Sequence, residues 1–383
     1  MESWETRRAA GPQSLGLLPL VNARGRHADV GFQVGADRAD QVNRMVESYR
    51  RLFTDAGPVL GVSGWNDAVR IAHRYLPFIQ STLPQYADEM RGMAEGAQVS
   101  FDEILVLNCL EAITSDRLEL GCTSMAVSGR ASADGSVLVA HNEDWYPEDL
   151  QHVYLVRAEV EGEPPFLAVS YGGLLPNIGL NAAGIAQCCD TVYPTDVRLG
   201  VPRILVSRAV LAAETLDQAI EAALHPERAA GYNHLLATAD GDIINLEASA
   251  TDFDTLSVPT GVAVHTNHYQ SRHMQEIEQT TDRLSRSRAR LARAEKQLGS
   301  QNGSLDETSL ISVLVDHDGG PYSICCHAQD MPSVIDQQQT IASLVMNLSA
   351  GTLRAAWGNP CEATFAEYSL TTEEPSDDGL GVG

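Results

Sequence analysis

Two short stretches of the chain hold residue types that could do nucleophilic chemistry. Gly121-Cys122 opens an apolar run, and a second run beginning at Val137 ends in the polar residues His141 to Asp144. Apolar runs of this length predict β-strands. A hairpin between them would place Asp144, at the end of the second strand, beside Cys122, at the start of the first. A cysteine beside a carboxylate is a candidate nucleophile with an orienting group.

The thiol of Cys122 needs a base, because a thiol near its ordinary pKa is mostly protonated at neutral pH. No histidine is adjacent to it in sequence. If the Gly121–Cys122 peptide bond were cleaved, Cys122 would become a chain start. Its own α-amine, with an ordinary pKa of about 7.7–8.0, could then accept the thiol proton. Gly121 suits this idea because it has no side chain to obstruct attack on its carbonyl. Asp144 would accept a hydrogen bond from the amine and orient it.

The remaining cysteines have a simpler interpretation as small buried hydrophobes, which is the usual fate of a free cysteine. They are Cys109, Cys188, Cys189, Cys325, Cys326 and Cys361. The total of seven is odd, the spacing is irregular and no CxxC pair occurs, so neither a disulfide framework nor a zinc site is predicted. A redox protein that uses the adjacent cysteine pairs is a weaker hypothesis, because adjacent cysteines rarely form a disulfide without strain.

A third stretch, His265-Thr266-Asn267-His268, follows the apolar residues 262–264. The side-chain amide of Asn267 could donate a hydrogen bond to the oxyanion of a tetrahedral intermediate. The alternative is an ordinary turn asparagine after a strand. His265 and His268 have the spacing of a metal-binding pair, but no third ligand of suitable spacing accompanies them. No metal is therefore predicted.

Four blocks of the sequence resemble, in matching order, the isopenicillin-N (acyl-coenzyme A:6-aminopenicillanate) acyltransferase family. The blocks are Gly121-Cys122-Thr123, His141-Asn142-Glu143-Asp144-Trp145, Gly179-Leu180-Asn181-Ala182-Ala183-Gly184 and His265-Thr266-Asn267-His268. The resemblance extends roughly from Arg26 to Tyr368, and four ordered blocks are far more specific than a lone Gly-Cys. Members of this family are N-terminal-nucleophile hydrolases, whose precursors cleave themselves before a cysteine.

The resemblance implies a fold and a set of catalytic residues. The fold is of the α+β class, a four-layer αββα sandwich. The catalytic residues are Cys122, Asp144 and Asn267, with self-cleavage between Gly121 and Cys122. The implied activity is that of a cysteine amidohydrolase or N-acyltransferase that works through a thioester on Cys122. No cofactor is implied, apart from acyl-coenzyme A as a co-substrate.

The chain departs from the family pattern at two places. Glu143 stands where the acyltransferase itself has an aromatic residue, and Asp190 follows two cysteines where the family often has an asparagine. Asp190 is a candidate substrate-binding residue for a cationic group, or alternatively a turn residue. Glu247 and Tyr171 are further candidates for substrate binding, although Glu247 could equally be a charge on a strand face. These departures motivate the alternative hypothesis of a catalytically inactive binding protein with the same fold.

The pattern of elements changes at Cys122. Before it, helical periodicity dominates over residues 36–56 and 66–95, the second region interrupted by Pro77 and Pro84, and a capping box at Ser100 predicts a helix to about residue 112. After it, strand-like runs dominate. Later strands are predicted at 323–327, 341–348 and 352–358, and helices at 202–213, 216–224 and 276–298.

These patterns predict a mainly helical segment over residues 1–121 and a catalytic fragment over 122–371, which together form one folded unit. Residues 1–25 have no clear period and are predicted to be a poorly ordered lead-in. The acidic tail, 372–383, is predicted to be disordered.

The composition limits the partners. A net charge of −25 argues against nucleic acid or an anionic membrane surface. No apolar run approaches the roughly 20 residues of a membrane span, and no signal peptide is recognised, so the cytoplasm is the default expectation. The one basic stretch, 283–296, is interpreted as a solvated helix, with binding of coenzyme A phosphates as the alternative. The expected partners are a small-molecule amide or acyl donor and an amine acceptor, and a homo-oligomer stays open.

Overall fold

The computed structural model describes residues 15–115, 117, 121–299, 303–320, 323–328 and 337–371. The strands are β1 Leu20–Gly25, β2 Gly121–Val127, β3 Leu138–Trp145, β4 Val153–Val160, β5 Phe166–Tyr171, β6 Ile178–Asn181, β7 Ile185–Thr191, β8 Tyr232–Thr238, β9 Ile243–Ala248, β10 Phe253–Leu256, β11 Val262–His265, β12 Gln339–Asn347, β13 Thr352–Trp357 and β14 Ala366–Ser369. The helices are α1 His27–Asp37, α2 Ala39–Asp55, α3 Gly57–Leu60, α4 Trp65–Ala72, α5 Leu76–Thr82, α6 Pro84–Ala97, α7 Phe101–Leu107, α8 Leu110–Thr114, α9 Arg203–Leu211, α10 Leu216–Ala223, α11 Arg272–Gln275, α12 Arg283–Gly299 and α13 Glu307–Leu314. The predicted acidic tail lies outside the described residues.

The strands form two sheets. The larger has eight strands in the order β1-β4-β5-β6-β7-β8-β9-β10, and the smaller has six in the order β11-β2-β3-β12-β13-β14. Strands β2 and β3 of the smaller sheet pack against β7 of the larger, while α12 and α13 cover the outer face of the smaller sheet. Helices α9 and α10 pack on the larger sheet. The predicted four-layer αββα sandwich is confirmed.

The two faces of β2 and β3 enter different parts of the core, as the alternation of side chains along a strand requires. Ala126 and Val139 belong to the core between the sheets, whereas Met125 and Ala140 belong to the core beneath α12 and α13. Every residue of both strands is buried. A polar side chain on either strand must therefore find its hydrogen-bond partner inside the protein.

The N-terminal segment is joined to the rest of the chain by a strand. Residues 20–25 form β1, which pairs in parallel with β4 along its whole length. The expectation of a poorly ordered lead-in is therefore wrong for these residues, because β4 supplies the hydrogen bonds that a period search cannot reveal. Buried Arg208 of α9 also contacts Glu89 of α6 at 3.1 Å and Glu163 at 2.9 Å. In the intact chain, segments on both sides of Cys122 thus share one sheet and one core.

The structure confirms most of the helix boundaries that were predicted from prolines and from the capping box. Pro84 begins α6 and Pro77 lies in the first turn of α5, as helix-starting prolines do. The capping box of Ser100 is present, but its helix ends at Leu107 and a separate short helix follows. None of the helices that the structure describes is both long and apolar enough to cross a bilayer.

Two later predictions are wrong. The helix expected over 276–298 begins only at Arg283. Residues 323–327 do not form a strand, because their backbone groups make hydrogen bonds to a loop and to side chains instead of forming a ladder with a neighbouring strand. The N–H of Cys325 donates to the carbonyl of Asp316 at 2.9 Å, and the carbonyl of Ile324 accepts from the side chain of Asn142 at 2.8 Å.

Candidate active site

The register of the hairpin decides which side chains face the sulfur of Cys122. The predicted hairpin is confirmed, but it pairs Cys122 with Glu143 and Gly121 with Asp144. Directly opposed residues of a β-ladder point to the same face of the sheet. The expected pairing of Cys122 with Asp144 is therefore wrong by one residue, and the two side chains leave the sheet on opposite faces.

Glu143 is the carboxylate beside the sulfur. Its Oε2 lies 3.7 Å from Cys122 Sγ and 2.8 Å from His141 Nε2. Tyr171, on β5 of the larger sheet, donates its hydroxyl to the other carboxylate oxygen at 3.0 Å. The thiol therefore faces the space between the two sheets and is 2% exposed in the intact chain.

This network continues away from the sulfur through buried polar groups. Ser124 Oγ lies 2.9 Å from His141 Nδ1 and donates to Asp190 Oδ1 at 2.8 Å. His265 lies between two carboxylates, with Nδ1 3.3 Å from Asp190 Oδ2 and Nε2 2.9 Å from Glu247 Oε1. Although burial opposes a charge there, these carboxylates raise the pKa of His265 to about 9. A protonated His265 offsets part of the buried negative charge at neutral pH.

Asp144 occupies the opposite face, directly beside Gly121. Its Oδ1 accepts from the hydroxyl of Thr340 at 2.6 Å. A Cβ atom added to Gly121 would lie 2.8 Å from Gln338 Oε1 and 3.1 Å from Asp144 Oδ2. Close approach of these side chains is thus a second reason for glycine, besides the open carbonyl expected from the sequence. Burial raises the pKa of Asp144 to about 7, although the charge of Arg290 opposes the shift.

The raised pKa of Asp144 predicts a pH-dependent stability. Between about pH 4 and pH 7 the folded chain holds a proton on Asp144 that the unfolded chain releases, so rising pH destabilises the parent at this position. Asp144→Asn, made in the Cys122→Ala background to keep the chain uncut, removes this titration. We expect the stability of the variant relative to its parent to increase with pH in this window, by up to about 1.4 kcal/mol per pH unit.

Urea unfolding at pH 5, 6, 7 and 8 measures this difference. Asp240→Asn is the matched control, because Asp240 is exposed in the turn between β8 and β9, and Asn-Gly suits that turn as well as Asp-Gly. A constant stability difference between Asp144→Asn and its parent across the four pH values would contradict the predicted protonation of Asp144.

The backbone nitrogen of Cys122 is bound by Asn267. This N–H donates to Asn267 Oδ1 at 2.8 Å, and Asn267 Nδ2 donates to the carbonyl of Thr191 at 3.1 Å. The structure thus brings Asn267 to Cys122, as predicted. In the intact chain, however, its oxygen is an acceptor for the nitrogen, a contact that the sequence analysis had given to Asp144.

Arg290 is the functional candidate that sequence reasoning missed. It is buried and donates from Nη2 to Asn267 Oδ1 at 2.7 Å and from Nη1 to Thr123 Oγ1 at 2.9 Å. It also donates to the carbonyl of Cys122. The interpretation of its helix as simply solvated is wrong at this position. The structure buries Leu284, Ser287 and Ala294 of α12 on the same helical face as Arg290, and only the spacing of these small and apolar residues could have indicated that face from the sequence.

The surroundings of Cys122 disfavour the thiolate in the intact chain. Burial raises its pKa well above the ordinary value, and the negative charges of Glu143, Asp190 and Asp144 act in the same direction. Arg290 opposes them. A reaction at this sulfur therefore needs a proton acceptor in contact with it.

A cavity of about 300 Å³ lies beside the end of β3. Trp145, Leu174, Glu111 and Arg203 are among its lining residues. The last two form a buried ion pair at 3.1 Å.

The three candidate substrate-binding residues are placed elsewhere. Asp190, Glu247 and Tyr171 are buried in the network described above and are absent from the lining of this cavity. Glu247 also accepts from the backbone N–H of Ser271 at 3.0 Å, so it holds the turn after Asn267. Their assignment to substrate binding stays a prediction.

The model of the acyl-coenzyme A:6-aminopenicillanic acid acyl-transferase family matches residues 131–362, a span that contains Asp144 and Asn267. The chain belongs to this family. The resemblance stated from the four sequence blocks is thereby confirmed, and acyl transfer or amide hydrolysis is the chemistry of the family and its relatives. The matched span begins after Cys122, so it does not test the nucleophile.

Two curated relatives of this family member are similar over long stretches. The β-alanyl-dopamine/carcinine hydrolase of Drosophila melanogaster is 24% identical over 386 residues, which cover 90% of this chain and 94% of the relative. The 40 kDa form of the acyl-coenzyme A:6-aminopenicillanic-acid-acyltransferase of Emericella nidulans is 24% identical over 249 residues, which cover 63% of this chain and 67% of the relative.

Solved structures with weak similarity include a bile acid hydrolase and a penicillin acylase. A point mutant of the conjugated bile acid hydrolase of Clostridium perfringens shares 11% identity at a TM-score of 0.43, covering 65% of this chain and 98% of that one. Penicillin V acylase of Agrobacterium tumefaciens shares 16% identity at a TM-score of 0.37, covering 62% and 83%. The αββα assignment of this family member rests on its own sheet order and layers.

Proposed function

We propose that this protein is an autoprocessing cysteine N-terminal-nucleophile enzyme that hydrolyses amide bonds or transfers their acyl groups through a thioester on Cys122. One observation carries the proposal. The nitrogen of Cys122 is already held by Asn267 Oδ1 at 2.8 Å, at the start of a buried strand, while the peptide bond to Gly121 is intact. Cleavage at this point converts a fixed backbone nitrogen into a fixed α-amine beside its own thiol.

The first step of the proposal is self-cleavage. Cys122 Sγ attacks the carbonyl carbon of Gly121, and its proton passes to an acceptor, for which Glu143 at 3.7 Å is suited. The carbon–nitrogen bond then breaks, and the departing nitrogen of Cys122 takes the proton from that acceptor, which leaves a thioester to Gly121 and a free amine on Cys122. Water then hydrolyses the thioester. The products are residues 1–121 and 122–383, which the shared sheet and core would keep together.

The second step is turnover. The free amine of Cys122 takes the thiol proton, and the sulfur attacks the substrate carbonyl to form a carbon–sulfur bond. The Cys122 amine then gives this proton to the leaving amine of the substrate as the carbon–nitrogen bond breaks. Burial and the charge of Arg290 favour the neutral, basic form of this amine, whereas Glu143 and Asp144 favour its charged form. The amide of Asn267 and a backbone N–H would bind the oxyanion. Water or an amine acceptor then releases the acyl group.

We favour hydrolysis over transfer. The relative from Drosophila melanogaster, which is similar over nearly the whole chain, is named a β-alanyl-dopamine/carcinine hydrolase. Excluding water from a thioester is also a harder requirement than admitting it. Amides of β-alanine with an amine are therefore the first substrates to test, and acyl-coenzyme A with 6-aminopenicillanic acid is the second pair.

Intact-mass spectrometry of the purified protein tests the proposal. We expect masses for residues 1–121 and 122–383, together with an acyl adduct on the larger fragment when carcinine or acyl-coenzyme A is added and the reaction is quenched in acid. Cys109→Ser is the control, since Cys109 is buried elsewhere in the helical segment. A single uncut mass that gains no adduct with either substrate pair would overturn the proposal.

One observation favours the second candidate, a catalytically inactive binding protein of the same fold. Burial and three carboxylates raise the pKa of Cys122 in the intact chain, which keeps the sulfur a poor nucleophile. The inactive protein would stay uncut and would bind a small amide without consuming it. Calorimetric binding of carcinine to an uncut chain, without product formation, would favour this candidate.

A further inference from the structure

Four potential metal ligands meet at a place remote in sequence from Cys122. They are His317, which follows α13, Cys325 and His327 in the segment 323–328, and Cys361, which follows β13. One ligand atom from each lies within 4.8 Å of the ligand atoms of the other three. The cluster shares no residue with the network around Cys122, and the proposed reaction does not use it.

The distances within this cluster are close to those of a tetrahedral metal site, although the two histidine nitrogens lie slightly nearer to each other than bound zinc would place them. Cys325 Sγ lies 3.6 Å from Cys361 Sγ and 3.6 Å from His327 Nε2. His327 Nε2 also lies 3.3 Å from Cys361 Sγ and 3.0 Å from His317 Nε2. Zinc bonds of about 2.3 Å to sulfur and 2.0–2.1 Å to nitrogen, in tetrahedral geometry, place neighbouring ligand atoms roughly 3.3–3.8 Å apart.

We propose that His317, Cys325, His327 and Cys361 bind one structural Zn²⁺ ion. Two thiolates and two imidazoles are a preferred ligand set for zinc, and four protein ligands close the tetrahedron without a position for substrate. The sequence analysis predicted no zinc site because these residues lack paired spacing. Only the fold brings Cys361 to the other three.

Neighbouring groups are arranged to support such a site. Asn359 Nδ2 donates to Cys325 Sγ at 3.6 Å, a contact that stabilises a thiolate. Glu362 Oε1 lies 4.0 Å from His327 Nδ1, on the side of the ring away from the other three ligand atoms. Asp316, the neighbour of His317 in the chain, forms an ion pair with Arg293, in which Oδ2 lies 2.7 Å from Arg293 Nη2.

The proposed zinc would hold the segment 323–328 against the turn after β13. That segment also supports the active site. The N–H of Cys326 donates to Thr340 Oγ1 at 2.9 Å, and the same hydroxyl donates to Asp144 Oδ1 at 2.6 Å. Zinc bound to Cys325 would therefore stabilise the position of Cys326, which binds Thr340 and through it Asp144.

Zinc analysis of the full chain, purified without a metal-affinity tag and kept reduced, tests the proposal. We expect about one zinc per chain by elemental mass spectrometry. Removal by a chelator should lower the thermal midpoint by roughly 5 °C, and added Zn²⁺ should restore it. Bound zinc should also slow alkylation of Cys325 and Cys361 at least about tenfold, because a metal-bound thiolate is shielded from the reagent.

Variants make the assignment specific. Cys361→Ser and His317→Ala should lose the zinc, whereas Cys109→Ser and His73→Ala, which lie outside the cluster, should keep it. The alkylation assay uses the unmutated chain, so it remains decisive if a variant fails to fold. Failure of the reduced chain to take up Zn²⁺ would overturn the proposal, as would zinc retained by both cluster variants. A Cys325–Cys361 disulfide that yields a metal-free chain after reduction would also overturn it. None of these results depends on self-cleavage or turnover.

Discussion

Replacing Cys122 with alanine is expected to leave the chain uncut and to lower amide turnover by at least about 10⁴-fold. The sulfur is the proposed nucleophile of both reactions, and no other cysteine touches Asn267 in the contacts described above. The substitution removes one buried sulfur atom and leaves the hydrogen bond from the backbone nitrogen to Asn267 Oδ1 in place. The folded core should therefore survive.

A denaturing gel and a product assay measure this prediction together. Cys122→Ser separates the two steps, because a hydroxyl keeps the geometry but is a weaker nucleophile, so slow cleavage over days is expected. Cys188→Ala is the matched control on β7, because Cys188 is also buried and its Sγ lies 4.0 Å from the carbonyl of Ala140 on β3 of the other sheet. Two fragments and normal turnover from Cys122→Ala would exclude this residue as the nucleophile.

Replacing Asn267 with aspartate is expected to lower kcat by about 10²–10³-fold while leaving self-cleavage largely intact. The thermal midpoint should fall as well, because a carboxylate cannot donate to the carbonyl of Thr191 as Asn267 Nδ2 does. Aspartate keeps an oxygen for the Cys122 nitrogen and for Arg290, which lies 2.7 Å from Asn267 Oδ1. It loses the amide that the proposed mechanism uses as an oxyanion donor. Asn267→Ala should lower both self-cleavage and kcat, since it removes the acceptor as well.

Steady-state kinetics and thermal midpoints of the two variants distinguish the roles of this side chain. A KM close to that of the parent, with a reduced kcat, would identify an interaction made in the transition state. Unchanged kcat in Asn267→Asp would show that Asn267 only positions the Cys122 nitrogen, and the oxyanion donor would then have to be another group.

Short-range signals in the sequence identified much of the architecture. The apolar run after Cys122 and the run before Asp144 each gave a correct strand of the hairpin, because the pattern of apolar residues is a local property. The resemblance of four sequence blocks to the family then predicted the four-layer αββα arrangement of sheets and helices. Strand β1 was missed because its stability comes from pairing with β4, more than a hundred residues away in the chain.

Some residues of the candidate site could likewise be selected from the sequence, whereas others were revealed only by the structure. Cys122, Gly121 and Asn267 could be selected from the sequence because residue type and neighbouring residues mark them. That Glu143, rather than Asp144, faces the sulfur depended on a single step of register, which local patterns do not fix. Arg290 was missed because a basic helix reads as solvated until one of its arginines is seen to face buried oxygen atoms.

The sequence by itself identified Cys122 and the glycine before it as candidates for the chemistry, and it predicted the strand-rich half of the chain and the family. The tertiary structure alone decided which carboxylate approaches the sulfur, which atom holds the nitrogen of Cys122, and that His317, Cys325, His327 and Cys361 meet. The physical reason is the same in each case. Residue types and short periods are encoded locally, whereas register and contacts between distant segments follow from how whole sheets and helices pack.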